Sequence, residues 1–85
     1  MDYKATIKPF ILSNFLFTDD SGAVADDTSL IRGGIVDSTG ILELIEFLES
    51  AYDIRVSPEE MVPANFDSID SISIFLGRKT AGGVQ

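Results

Sequence analysis

Apolar residues recur along this chain at helical intervals in three places. Ile7, Phe10, Ile11 and Phe15 form the first stripe, within an apolar block at residues 7–17. Pro9 leaves its start open. Proline is comfortable in a first turn but costs roughly 3 kcal/mol inside a helix. The helix therefore begins near Lys8, or starts near Asp2 and kinks. The second stripe is the clearest. Ile41, Leu44, Ile45, Leu48 and Tyr52 share one face of a helix over 38–52, with Glu43, Glu46, Glu49 and Asp53 on the other side. Leu42 projects from that acidic side. Asp37 precedes this helix, where a carboxylate accepts orphan N–H groups and favours the positive end of the helix dipole. Gly40 weakens its first turn slightly. The third stripe is Ile69, Ile72, Phe75 and Leu76, with Asp67 as its candidate cap and Arg78 and Lys79 suited to its negative end.

The connections carry turn chemistry. Residues 18–37 hold Asp19-Asp20-Ser21-Gly22, Asp26-Asp27 and Gly33-Gly34, a segment longer than most connections in compact domains. Leu30, Ile31, Ile35 and Val36 would pin it to the core, with a short helical turn after Ser29. Residues 54–56 read as an extended link. Ser57-Pro58-Glu59-Glu60 starts a short helix that Pro63 stops. Phe10, Phe15, Phe47, Phe66 and Phe75 read as core. No strand signal competes, so helix packs on helix. The expected fold is all-α: one bundle of three longer helices plus one or two short ones, over residues 1–79, with a frayed tail at 80–85.

Charge narrows the function. The 85 residues include 14 acidic and 6 basic ones, for a net charge of −8. Nucleic acid and anionic membrane surfaces would be repelled, and partners with basic docking patches are favoured. Lys4, Lys8, Arg78 and Lys79 lie near the ends, which leaves residues 19–70 strongly acidic. The chain has no cysteine and no histidine, so it lacks disulfides, thiolate metal sites and the commonest general base. It reads as a non-enzyme without a metal site. The acids at 19–30 do not make a calcium loop: an EF-hand starting at Asp19 needs glycine and a carboxylate where Val24 and Leu30 stand. The start of the chain has no signal-peptide layout and no apolar run reaches bilayer length, which sets a cytoplasmic expectation. The polar surface suggests a monomer.

The candidate chemistry lies in Gly34-Ile35-Val36-Asp37-Ser38-Thr39, where the acidic loop meets the second helix. A serine there is exposed. Its hydroxyl is a poor nucleophile unassisted and this chain supplies no base, so Ser38 suits modification by another enzyme better than hydrolysis. An Asp-Ser pair alone is usually a cap or turn. Asp67-Ser68 reads as a plain cap.

The whole pattern resembles the acyl carrier protein family. The loop ends in glycine, two apolar residues, Asp37 and Ser38. The acidic helix Ile41-Leu42-Glu43-Leu44-Ile45-Glu46-Phe47-Leu48-Glu49 follows, then Tyr52-Asp53-Ile54, Glu59-Glu60 and Asp67-Ser68-Ile69. The resemblance implies that Ser38 accepts 4′-phosphopantetheine from coenzyme A, installed by a phosphopantetheinyl transferase with Mg²⁺, beside the acidic neighbour Asp37. It implies a thiol arm carrying acyl or aminoacyl thioesters, an acyl-loading ligase or acyltransferase, and downstream acyl-processing enzymes. It makes Leu42, Glu43, Glu46 and Glu49 the docking face, with Met61 divided between groove lining and partner contact. Thr39 stands where the family usually has Leu, Ile or Met, and Gly40 replaces a polar residue. The chain thereby looks closer to freestanding carriers of specialised pathways than to those of fatty-acid synthesis. The competing reading is a small acidic interaction module without a prosthetic group.

Overall fold

A computed structural model describes residues 3–81. Four α-helices follow in order: α1 (Lys4–Ile11), α2 (Ser38–Tyr52), α3 (Pro63–Phe66) and α4 (Ile69–Ala81). No strand occurs among the described residues. The expected all-α bundle is present, with α1 lengthened by a further turn and α3 the short member. Ile7, Ile11, Leu30, Leu44, Leu48, Phe66, Ile69, Ile72, Phe75 and Leu76 are buried together in one core. Truncating any fully buried Leu or Ile here to Ala would cost about 2–5 kcal/mol.

α1 starts upstream of Pro9, which therefore sits inside the helix. Its side chain faces solvent, so the ring costs one backbone hydrogen bond without disturbing the core. Beyond Ile11 the backbone widens into a π-helical turn, Leu12–Leu16. Phe17 closes it in the left-handed region at φ 55°, and its N–H and that of Thr18 both bond the Leu12 carbonyl. A phenylalanine in that conformation costs roughly 1–2 kcal/mol. The ring of Phe17 is 84% exposed, so core packing does not offset this cost.

The aromatic residues divide. Phe66 and Phe75 are buried as expected, with ring centroids 5.0 Å apart. Phe10, Phe15 and Phe47 are only half-buried. They form a rail along α2 rather than a part of its interior face. Phe10 stacks on Phe47 at 4.1 Å, and Phe15 meets Phe10 edge-on at 5.9 Å.

The loop between Phe17 and Asp37 is held at fixed points. Val24, Leu30 and Val36 are buried. The turn after Ser29 is hydrogen-bonded but does not become a helix: Gly33 N–H bonds Ser29 O at 3.0 Å, and the amides of Ile35 and Val36 both reach Leu30 O. Gly34 has φ +72°, a conformation that suits glycine. Asp67 anchors this turn. Its carboxylate accepts from Ser29 Oγ at 2.8 Å and Ile31 N–H at 3.1 Å, and its carbonyl accepts from Leu30 N–H at 2.5 Å. Asp67 was expected to cap the last helix. It caps the loop turn instead, and the neighbouring Ser68 caps α4 through Ser71 N–H at 3.0 Å. Lys4 and Lys8 tie α1 to the same junction through Asp26 and Asp70.

After α2, Ile54 and Val56 are buried, and Val56 N–H bonds Glu49 Oε2 at 2.9 Å. Ser57 and Glu60 close a reciprocal capping box around the 3-10 turn Pro58–Glu60. Pro63 ends that segment and also opens α3 as its first residue. α4 continues to Ala81, past the boundary at 79, and Thr80 is tied by its hydroxyl to Leu76 O and to Tyr3. The rest of the expected tail, 82–85, lies outside the described residues.

These bonds give Asp67 and Ser68 different signatures. Asp67→Ala should cost about 2–3 kcal/mol in urea unfolding, because a charged acceptor with two donors is removed. Amide exchange at Ile31 should accelerate with it. Ser68→Ala should cost about 1 kcal/mol, the usual loss of a helix cap. It should leave Ile31 protected.

Candidate functional site

Ser38 is the first residue of α2 and is exposed. Three features fix its surroundings. Asp37 has extended backbone angles, and its Oδ1 accepts from Gly40 N–H at 2.7 Å. The carboxylate thus satisfies one of the orphan donors of the helix start. Gly40 is buried against the π-helical turn. A Cβ there would stand 2.8 Å from Phe15 Cε1 and 3.0 Å from Val36 Cγ1. The glycine that weakens the helix on propensity lets the Phe15 ring approach closely, and a methyl group there would have to displace that ring. Val36, in turn, is buried under the end of the loop.

On the other side of Ser38 an apolar groove of about 450 Å³ opens between α2 and the α3 segment. Ile41, Ile45 and Phe66 form its lining together with Ser38 and Asp37 at its mouth, and Ile31, Leu42, Met61, Val62 and Pro63 complete it. Leu42, Met61, Val62 and Ile31 are exposed there, at 54%, 39%, 40% and 37%. Ile31 and Val62 were absent from the candidates read from sequence. Of the residues read as pinning the loop to the core, Leu30 and Val36 are buried, whereas Ile31 is exposed and lines the groove. The run Met61-Val62 ahead of Pro63 was the available signal for the second.

The charges are segregated. Among the described residues, the ion pairs join Lys4 and Lys8 to Asp26, Lys4 to Asp70, and Lys79 to Glu60. None of them involves Glu43 or Glu46, which are exposed on α2 beside Leu42. Glu49 is half-buried, with one oxygen engaged by the Val56 amide. Met61 is carried by a braced segment. The Glu60 carbonyl accepts from Asn65 Nδ2 at 2.8 Å, Asn65 Oδ1 accepts from Arg78, and the Glu60 carboxylate accepts from Ser57 and Lys79. The Ser57 amide, with the Lys79 ammonium and the Ser57 hydroxyl, holds the Glu60 carboxyl below the usual carboxylate range.

No family model matches the chain. Comparison with characterised proteins does find relatives. The D-alanyl carrier protein of Streptococcus thermophilus is 36% identical over 72 residues, which cover 85% of this chain and 87% of that protein. The chain belongs to the acyl carrier protein family. A probable acyl carrier protein of a Serratia species, PigG, is 31% identical over 71 residues, 84% of this chain and 80% of its own length. The protein is therefore a carrier, and the reading as an interaction module without a prosthetic group is not favoured. Carriers of this family are not catalysts in themselves. Among the described residues no helix of this carrier is long and apolar enough to cross a membrane.

Glu60 supplies a pH signature for the groove wall. A carboxyl with a lowered pKa in the fold adds stability above the ordinary carboxylate range, and that stability is lost as pH falls through the lowered value. Acidification through that lowered value should therefore loosen the 57–65 segment, read as faster exchange at the Ser57 and Asn65 amides relative to the rest of the chain. Glu60→Gln should be less stable than wild type at neutral pH and should lose less on acidification. An unchanged acid limb in that variant would assign the loss to other carboxylates.

Proposed function

We propose that Ser38 is the attachment point for 4′-phosphopantetheine and that the protein presents acyl or aminoacyl thioesters on that arm to partner enzymes. The observation that carries this reading is an exposed serine hydroxyl at the start of a helix whose cap and first turn are fixed by Asp37, Gly40 and Val36. The surroundings suit the group. The hydroxyl is open to a donor, and a phosphodiester on it would lie at the positive end of α2. The groove beside it has apolar walls that a carried chain can contact.

The chain brings little chemistry to its own modification. It has no histidine, and the Asp37 oxygen nearest the helix is occupied by the Gly40 amide. A phosphopantetheinyl transferase with Mg²⁺ supplies what is missing. The Ser38 oxygen forms the bond to phosphorus, its proton passes to a base of the transferase, and the adenosine 3′,5′-bisphosphate half of coenzyme A leaves. When attached, the arm supplies a thiol for thioester formation. An acyl-loading ligase or acyltransferase charges it, and downstream acyl-processing enzymes take the cargo. One relative is named for D-alanyl and the other for acyl groups, which supports a cargo of the acyl or aminoacyl class.

Docking falls to the face around Ser38. Leu42 and Met61 supply apolar contact, and Glu43 and Glu46 supply charge that no ion pair among the described residues offsets. Glu49 sits at the edge of this face, where it also braces Val56. Such an arrangement gives fast encounter with basic partners without tight binding.

Intact-mass measurement tests the attachment. With coenzyme A, Mg²⁺ and a broad-specificity transferase, the wild-type chain should gain one phosphopantetheine and Ser38→Ala none. No gain on wild type, or an equal gain on the variant, contradicts the reading and restores the interaction module. Docking has a separate test. Glu43→Lys or Glu46→Lys should each raise the KM for loading about three- to tenfold at low salt, with helical content unchanged. Wild-type KM in both would place the interface elsewhere.

A further inference from the structure

The aromatic rail meets the first turn of α2 at Gly40, on the side of the helix away from the groove. Phe15 lies where a side chain on residue 40 would have to stand. Gly40 is two residues beyond Ser38, in the same helical turn, and its amide is the donor that Asp37 caps. Phe15 also meets Phe10 edge-on, and Phe10 stacks on Phe47 farther along α2. Two rings, Phe15 and Phe10, thus link the first turn of α2 to Phe47 on a later turn of the same helix. The π-helical backbone of Leu12–Leu16 carries Phe15, and the left-handed Phe17 closes that turn. An unusual backbone held at a measurable cost, next to the modified residue, asks for a role.

We propose that Phe15 is a positioning residue for the modification of Ser38. It touches neither the hydroxyl nor the incoming phosphorus. By packing on Gly40 it fixes the first turn of α2, and with it the direction in which the Ser38 oxygen points. The acidic face lies elsewhere on α2, so docking and orientation are carried by different residues. This inference rests on the attachment reading.

The contact predicts a particular split in loading kinetics. Misplacing a nucleophile by a fraction of an ångström impairs the chemical step more than the encounter, so Phe15→Ala should lower kcat about tenfold and change KM by less than about twofold. Gly40→Ala should do the same, because its methyl group displaces the ring. Phe15→Leu, which retains apolar contact, should lie between Phe15→Ala and wild type. The double variant Phe15→Ala/Gly40→Ala should be no slower than the worse single one, since both changes remove the same contact. Amide exchange on the unloaded chains gives a readout independent of the transferase. In Phe15→Ala the Gly40 and Ile41 amides should exchange faster while Leu48 and Leu76 keep their protection.

The outcomes separate the two ideas. Wild type that gains no mass overturns both the attachment and the positioning role. Wild type that loads normally, with Phe15→Ala at wild-type kcat, overturns the positioning role alone. So does a double variant whose losses multiply. Loss of protection throughout α2 and α4 in Phe15→Ala and Phe15→Leu assigns Phe15 to general stability and overturns it as well.

Discussion

Asp67 holds the long loop to the body of the protein, and the placement of Ser38 follows from that. Its carboxylate and carbonyl together receive Ser29, Leu30 and Ile31, so the turn that follows can fold back and bury Val36. Val36 then supports Gly40, and Asp37 caps the helix that begins at Ser38. A connection of this length would otherwise leave its end ill-defined, because ordering each loop residue costs about 1–2 kcal/mol of backbone entropy. A few anchors of burial and charge-assisted hydrogen bonding offset that cost at the places that matter.

Much of this was legible in the residue pattern. The stripes of α2 and α4 are regular, and Leu44, Ile45, Leu48, Ile69, Ile72, Phe75 and Leu76 are all buried as their spacing requires. Local periodicity carries that information without help from distant parts of the chain. The carrier family was legible for a related reason: the loop end, Ser38 and the acidic helix are contiguous. What escaped depended on contacts distant in sequence. Asp67 looked like a helix cap because its nearest neighbours are helical, yet its partners lie at Ser29 and Ile31. Gly40 looked like a weakness because Phe15 is invisible from its own turn. The π-helical turn follows no simple spacing rule, and it shifts Phe15 to the rail. Ile31 read as a core anchor since nothing local distinguishes it from Leu30.

Function here is a matter of division of labour. The basic residues near the two ends are largely spent on Asp26, Asp70, Glu60 and Asn65, where they tie helices together. On the face of α2 next to Ser38, Glu43 and Glu46 stand outside those ion pairs, which suits the proposed docking role. One side of the serine opens on an apolar groove, and the other is braced by aromatic rings. A carrier must be recognised by several enzymes in turn and released by each, and the proposed attachment at Ser38, beside a charged surface, would meet both needs.

The most direct test is to locate the modification within the chain. Protein loaded by the transferase is cleaved after arginine, and the fragment spanning residues 33–55, which contains Ser38, Thr39 and Ser50, is sequenced by tandem mass spectrometry. The added phosphopantetheine is expected on Ser38 alone. Finding it on Thr39, on Ser50 or on a fragment outside 33–55 would contradict the view that the braced start of α2 is the carrier's working end.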